Sequence, residues 1–344
     1  MKKGNCVLAG LLVVSLLFPF IGCETDPTDE NHVLEGEYIF AAYGFDNSVP
    51  FASIHSMSFQ ATYDLLYDTI YSSQGDSDSD TIHYTFTGEG ALYIEEWEGQ
   101  VSSDRELIGL IDQKEGVDSY IAIGIGFRKG SDLDNTILSG SYRYYQLSRD
   151  TSDIEGIGSE IDLVLNGDGT GSYTIISITG GGSGSGDLTY NLTADGSATV
   201  TIAPGTPGEK TYNGIVSSDG TKMLILDTDI SDDEISIGVV IKRSTDMTSE
   251  DIEGSDYYMF QYSDSGGDVD IDSGPITVEL STYTYTLDQT GLIAVTDESE
   301  DGIRGIVSPD GTVIILMSVN TENGTIPVND GEIDPGINVC LRID

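Results

Sequence analysis

The side chains of Asn166-Gly-Asp168-Gly-Thr170-Gly171 place oxygen atoms at alternate positions before a glycine, like the first half of a calcium loop. Hard cations take oxygen ligands, and glycine lets the chain turn sharply around them. The twelfth place of such a loop needs a bidentate acid, and Ser177 stands there instead. Asp76-Asp78-Asp80 and Asp268-Asp270-Asp272 repeat the alternation without the glycine at the sixth place. Asp227, Asp229, Asp232 and Asp233 crowd behind a hairpin. Weak calcium at Asn166, Asp168 and Thr170 is the one metal expectation. It stands beside the plainer one that these are solvated acidic loops. No other cofactor is expected.

The tools of an enzyme are sparse. His55 and His83 are the only histidines past residue 32, and neither has a nucleophile elbow to serve. Gly182-Ser-Gly-Ser-Gly186 matches that spacing but lies in a Gly/Ser loop without a strand-to-helix setting. His83 alternates with Tyr84 and Phe86, which puts it on the solvent side of a strand. Glu95-Glu96 adjoins Trp97, an arrangement with the residue types of a glycan hydrolase. Neighbours on one strand point to opposite faces, so these two carboxylates read as a charged hairpin end. Tyr142, Tyr144 and Tyr145, with Tyr283 and Tyr285, suit either a binding face or the filling of half-exposed strands.

The chain has 344 residues, 59 acidic against 14 basic, for a formal charge of -45. Such a field repels phosphate backbones and argues against nucleic acid as a partner. With 42 glycines and 19 tyrosines, the composition points to turn-rich β structure.

Those residues must be carried by repeated elements. Gly214 to Asp229 reads as strand, Asp-Gly turn, strand. Relatives of it recur at Gly99–Asp112 and Gly305–Met317. Each unit opens alike, as Leu34-Glu-Gly36-Glu-Tyr38, Leu138-Ser-Gly140-Ser-Tyr142 and Ile252-Glu-Gly254-Ser-Asp-Tyr257. Polar runs before these openers set the units at 34–137, 138–251 and 252–344. In the second unit eight strand signals separated by turn chemistry span Tyr142 to Lys242, the count of a small up-and-down barrel. In the first, Met57 to Tyr67 alternates without a visible turn and predicts one long bent strand or a hairpin.

Met223–Leu226, Val313–Met317 and Ile237–Ile241 are apolar at consecutive positions, so they are covered on both faces. Either the units pack on one another through these strands, or the fold is a β-propeller with two blades per unit.

The N-terminus carries Lys2 and Lys3, an apolar run Val7 to Ile21, and Phe20-Ile21-Gly22-Cys23. This resembles the lipobox of bacterial lipoproteins. The resemblance implies a signal peptide over 1–22, acylation of Cys23, an acidic tether over 23–33, and an outer-membrane address because Glu24 follows the cysteine. More than one acyl chain would hold the chain stably at a membrane. Cys340 alone then remains in the folded part, so no disulfide is available.

Each unit also ends in an apolar strand closing on a basic residue: Arg128, Lys242 and Arg342. With the aromatic openers, this resembles the calycin superfamily, the lipocalins and their relatives. The resemblance implies a cation laid across a first-strand aromatic in Tyr38–Arg128, Tyr142–Lys242 and Tyr257–Arg342. The fold expected is all-β, three tandem antiparallel meanders of about eight strands each, calycin-like, with the propeller as alternative. The function expected is a lipid-anchored, non-enzymatic binding or surface module of the cell envelope. Its partner would be the membrane through its lipid, and a small apolar ligand or a glycan. A glycan hydrolase and a purely structural or adhesion protein are the other readings, and the oligomeric state is open.

Overall fold

The structure is a computed structural model. It describes residues 33–46, 49–75, 77–114, 120–150, 156–178, 182–227, 234–265, 268–278, 285–295, 303–318 and 336–344. Cys23, the signal segment, nearly all of the tether, Asp76, Asp229, Asp232, Asp233, Tyr283 and part of the Gly/Ser loop lie outside the described residues.

The first unit closes into a barrel of eight antiparallel strands in simple succession. They are β1 (Gly36–Asp46), β2 (Val49–Phe59), β3 (Asp64–Ser72), β4 (Ser79–Phe86), β5 (Ala91–Ile94), β6 (Trp97–Val101), β7 (Leu107–Lys114) and β8 (Tyr120–Arg128). β8 returns to pair with β1, which removes both edges. The alternating run Met57–Tyr67 resolves into a hairpin. Its turn is held by Gln60 N donating to Asp64 O and Tyr63 N donating to Gln60 O, with Tyr63 at φ +62°.

The second unit is a second closed eight-stranded barrel. It runs β9 (Gly140–Asp150), β10 (Gly156–Leu165), β11 (Thr170–Ile178), β12 (Ser185–Leu192), β13 (Ser197–Ile202), β14 (Lys210–Val216), β15 (Lys222–Asp227) and β16 (Glu234–Lys242). All eight strand signals read from the sequence are strands here. Alternation and Asp-Gly turns are local signals, and nothing tertiary overrides them. The third unit's described residues form a seven-stranded sheet in the same winding order. It contains β17 (Asp256–Ser265), β18 (Asp268–Thr277), β19 (Tyr285–Leu287), β20 (Leu292–Val295), β21 (Ile303–Val307), β22 (Val313–Ser318) and β23 (Gly336–Arg342). These are meanders, and the bladed alternative is not adopted.

The recurrent hairpin is β6–β7, β14–β15 and β21–β22, each beside the unit's last strand. Its leading glycine is required by a close approach between strands. A Cβ on Gly99 or Gly305 would overlap the carbonyl oxygen of Gly109 or Ile315, and one on Gly214 would lie 2.7 Å from Leu224 O.

Each unit has its own interior, and a further core lies between the units. Phe40, Leu65 and Tyr84 fill the first barrel, Tyr142, Leu188 and Val240 the second, and Tyr257 and Ile314 the third sheet's inner face. The largest cluster joins all three: Ile125 of β8, Leu224 of β15, Val239 of β16, Phe260 of β17, Ile315 of β22 and Val339 of β23. The strands that read as apolar on both faces are therefore covered inside by their own barrel and outside by the other units. Polar links frame this core. Ser103 N donates to Arg342 O at 3.1 Å, Ser218 Oγ to Glu106 Oε2 at 3.0 Å, and Lys222 Nζ to Asp310 Oδ2 at 2.6 Å.

Candidate functional site

One end of each unit is built by the opener and the hairpin turn together. The leading Leu34, Leu138 or Ile252 is fully buried against the interior. The tyrosine then donates its hydroxyl to a backbone carbonyl inside the hairpin turn. Tyr38 reaches Arg105 O at 2.7 Å, Tyr142 reaches Gly220 O at 2.9 Å and Tyr257 reaches Gly311 O at 2.6 Å. The accepting residues share one left-handed conformation, with φ +61°, +69° and +70°. Arg105 therefore holds, at a steric cost, a backbone that glycine adopts freely. The turns are further clamped by Ser102, Ser217 and Ser308, whose hydroxyls donate to Asp104, Asp219 and Asp310 at 2.5, 2.6 and 2.5 Å. This explains why opener and hairpin recur as a pair.

The basic residues stand opposite these tyrosines, at Tyr38–Arg128, Tyr142–Lys242 and Tyr257–Arg342. Lys242 Nζ lies 5.7 Å from the Tyr142 ring centroid. Arg128 runs beside Gly36 toward Glu106, at 3.6 Å. Arg342 donates to Asp344 Oδ1 at 2.5 Å and to Asp251 O at 3.3 Å. Among the described residues a ring contact is formed only in the middle pair. The Tyr142 hydroxyl is buried, so Tyr142→Phe leaves Gly220 O without its donor. Its loss should cost about 1–2 kcal/mol of stability. Denaturant melts of the two proteins check this, and equal midpoints would remove the hydroxyl from the fold's support.

The loop Asn166–Gly171 is a tight turn with Gly167 at φ +79° and Gly169 at φ +89°. Asp168 Oδ1 accepts from Thr170 N at 2.9 Å and from Thr170 Oγ1 at 2.6 Å, while Asn166 Nδ2 donates to Thr170 Oγ1 at 3.0 Å. These hydrogen bonds hold the Asp168 carboxyl below its usual range. The Asp168 and Thr170 oxygens thus serve the turn, and Asn166 joins them through its amide nitrogen. Tyr142, Tyr144 and Tyr145 are all buried and belong to cores, not to a surface. Glu95 and Glu96 form the two-residue turn between β5 and β6, with Glu95 at φ +53°.

The first barrel carries the remaining chemistry, with His83 and Asp64 near the opener's end and Asp112 at the opposite one. His83 is exposed, 3.7 Å from Asp64. His55 lies between Ser53 Oγ at 2.8 Å and Thr69 Oγ1 at 3.2 Å, so both ring nitrogens meet hydroxyls. Burial lowers its pKa to about 4, against a smaller opposing pull from Asp78, and the ring is neutral near pH 7. Among the described residues no carboxylate bonds either ring nitrogen, as a triad would require. Next to it, Tyr67 donates to Asp78 Oδ2 at 2.8 Å.

Asp112 follows Ile108 and Leu110 on the inward face of β7 and is only 7 % exposed. Among the described residues it has no hydrogen bond and no ion pair within 4 Å. Burial, with Glu96 adding to it and Lys114 opposing, pushes its carboxyl up to about 6. An aromatic cluster stands at the same end. Tyr120 stacks on Phe51 at 5.2 Å and meets Trp97 edge-on at 6.2 Å, and Trp97 meets Phe40 at 5.7 Å. Sequence reading passed over Asp112. Its signal was there in the repeat, since Leu107–Asp112 and Lys222–Asp227 each end an apolar run on aspartate.

The second barrel's lumen holds little free space among the described residues. A cavity of about 10 Å³ in the second barrel is lined by Leu163, Leu188, Tyr190, Val200, Met223 and Ile225. It has room for about one water molecule and presents no polar partner to it.

No family model and no curated protein matches the sequence. Among solved structures the chain is similar to a protein of unknown function from the DUF3598 family of Nostoc punctiforme. The identity is 11%, over 60% of this chain and 94% of that one, with a TM-score of 0.23. It is also similar to the isotype 1 transferrin binding protein B from serogroup B Neisseria meningitidis. That identity is 8%, over 90% of this chain and 77% of that one, with a TM-score of 0.22. Neither likeness is close enough to transfer a fold or a function.

Proposed function

We propose that the chain is a non-enzymatic binding module of the cell envelope, anchored in the outer membrane through acylated Cys23. Its recognition surface is the barrel ends and outer walls, not the lumens. The observation that carries this reading is the filling of the second barrel's interior. A small-molecule site of ordinary size needs about 300–1,000 Å³, whereas the cavity in the second barrel offers about 10 Å³. The neutral, hydroxyl-bound His55 supports the absence of hydrolytic chemistry. The outer wall of the first barrel presents Leu66 and Tyr93, both exposed, as contact residues for a partner.

The anchor is tested by Cys23→Ala. The parent chain should sediment with membranes and incorporate a labelled fatty acid, and the variant should do neither. A variant that stays with membranes removes the anchor from the reading. The surface site is tested with an apolar fluorophore, which should show no saturable uptake. Saturable one-to-one uptake would return recognition to a lumen.

A further inference from the structure

The β6–β7 and β14–β15 hairpins pair in the same register with a constant offset. Glu98 pairs with Ile111 in β6–β7, and Asn213 pairs with Leu226 in β14–β15. One step further along, Trp97 and Asp112 of the first barrel correspond to Tyr212 and Asp227 of the second. In the second barrel this place holds an ammonium ion. Lys210 Nζ lies 2.6 Å from Asp227 Oδ2 and 5.6 Å from the Tyr212 ring centroid, and Asp227 is fully buried. The protein thus contains a worked example of one recognition: an alkylammonium held between an aromatic residue and a buried carboxylate.

The first barrel keeps the aromatic residue and the carboxylate and lacks the lysine. The residue corresponding to Lys210 is Glu95, in the β5–β6 turn. Lys114 is committed to Glu96, at 3.7 Å, and both are half-exposed. Asp112 is left more than nine-tenths buried on the inward face, without a cationic partner among the described residues. A buried carboxylate in that state is costly, and a cation that pairs with it regains what burial took away. The third unit has Ile303 and Ser318 at the corresponding positions, so it carries neither half of the arrangement.

We propose that this end of the first barrel binds a small organic cation bearing a primary ammonium, seated between Trp97 and Asp112. The class follows from the second barrel, where the occupant is a lysine side chain, chemically a butylammonium. A simple alkylamine or a diamine of similar reach fits the same description. The formal charge of -45 raises the local concentration of any cation near the mouth, and the buried carboxylate beside the aromatic residue selects among them. The inference deepens the binding-module reading and rests on it.

Trp97 is the chain's single tryptophan, so its fluorescence reports this site alone. The full chain is titrated with n-butylamine and with 1,4-diaminobutane at constant ionic strength, with potassium chloride as the control. Saturable changes with both amines and none with the salt are expected. Asp112→Asn, which keeps shape and removes charge, should weaken the amines by about tenfold or more. Trp97→Leu, followed by calorimetry, should weaken them as well and covers the case in which the first variant does not fold. A response equal to that of the salt, or unchanged affinity in a folded Asp112→Asn, overturns the proposal. That failure would leave Cys23-dependent anchoring and exclusion of apolar fluorophores as they were, so the broader reading is judged separately.

Discussion

Phe260→Ala, a change in the third unit, is expected to lower the unfolding midpoint reported by Trp97 in the first. Phe260 is fully buried and belongs to the cluster that joins all three units. Its ring abuts Gly109 of β7 so closely that a Cβ there would overlap it. Nearby, Tyr43 of the first unit meets Tyr262 of the third with ring centroids 5.5 Å apart. Truncating a buried phenylalanine to alanine costs about 3–5 kcal/mol, from lost transfer energy and the cavity left behind. If the three units were beads on a string, that loss would fall on the third alone. A shared core makes it common to all. Denaturant melts followed in parallel by Trp97 fluorescence and by far-ultraviolet circular dichroism should coincide in the parent and shift together in the variant. A Trp97 midpoint that stays fixed while the dichroism moves would show that the units unfold independently.

Breaking the charge pair at the converging turns should also destabilise the fold, and a second substitution should repair it. Lys222 is 4 % exposed. It holds Asp310 Oδ2 at 2.6 Å and Asp219 Oδ2 at 3.7 Å. The corresponding residues in the other units are Leu107 and Val313, both in the shared core. Asp310→Asn keeps an oxygen for the turn's hydrogen bonds and removes the charge. Lys222 is then left with Asp219 and the Thr221 hydroxyl, and because the carboxylates of Asp310 and Asp219 are 37 % and 46 % exposed, the loss should be about 1–2 kcal/mol. Lys222→Met should be near neutral, because an apolar side chain suits the site in both sister units. The double variant should recover most of the loss, whereas strict additivity of the single changes would show that the pair is not coupled.

The same pair sets an acid limit. Burial acts to raise the Asp310 carboxyl. The Lys222 ammonium, with hydrogen bonds from Lys222, Ser308 and Thr312, outweighs burial and brings the pKa down to about 2. The folded value is thus below the unfolded one, about 3.9. The stabilisation is fully present above pH about 4 and is lost as pH falls toward about 2. Melts of parent and Asp310→Asn across that window should converge as the pH drops, because a protonated Asp310 matches the uncharged amide. A gap independent of pH would assign the effect to packing.

Much of this was readable in advance because its causes are local. Alternating side chains and Asp-Gly turns place β9 to β16 within a few residues, since period and turn chemistry depend on near neighbours. Consecutive apolar residues such as Met223–Leu226 announce cover on both faces. The opener and hairpin were visible as separate recurrences, and their link through the Tyr142 hydroxyl and Gly220 O was not, because 78 residues separate the partners. The tyrosines Tyr142, Tyr144 and Tyr145 read equally as surface or core, and burial decided for core.

The calcium-like loop Asn166–Gly171 shows the limit on the chemical side. Residue types and spacing are the same for a cation's ligands and for a self-satisfied turn. Only the folded chain shows that Asp168 accepts the turn's own hydrogen bonds. Asp112 is the converse. In the sequence it is one of 59 acids. It becomes distinctive once strand closure buries it on an inward face beside Trp97, where among the described residues no lysine lies within ion-pair distance. The sequence by itself determined the units, their strands and the acidity of their surface, because these follow from local pattern and composition. Which faces met, and which of many carboxylates was buried without a partner, were decided only when distant strands paired, because desolvation and pairing belong to neighbours in space.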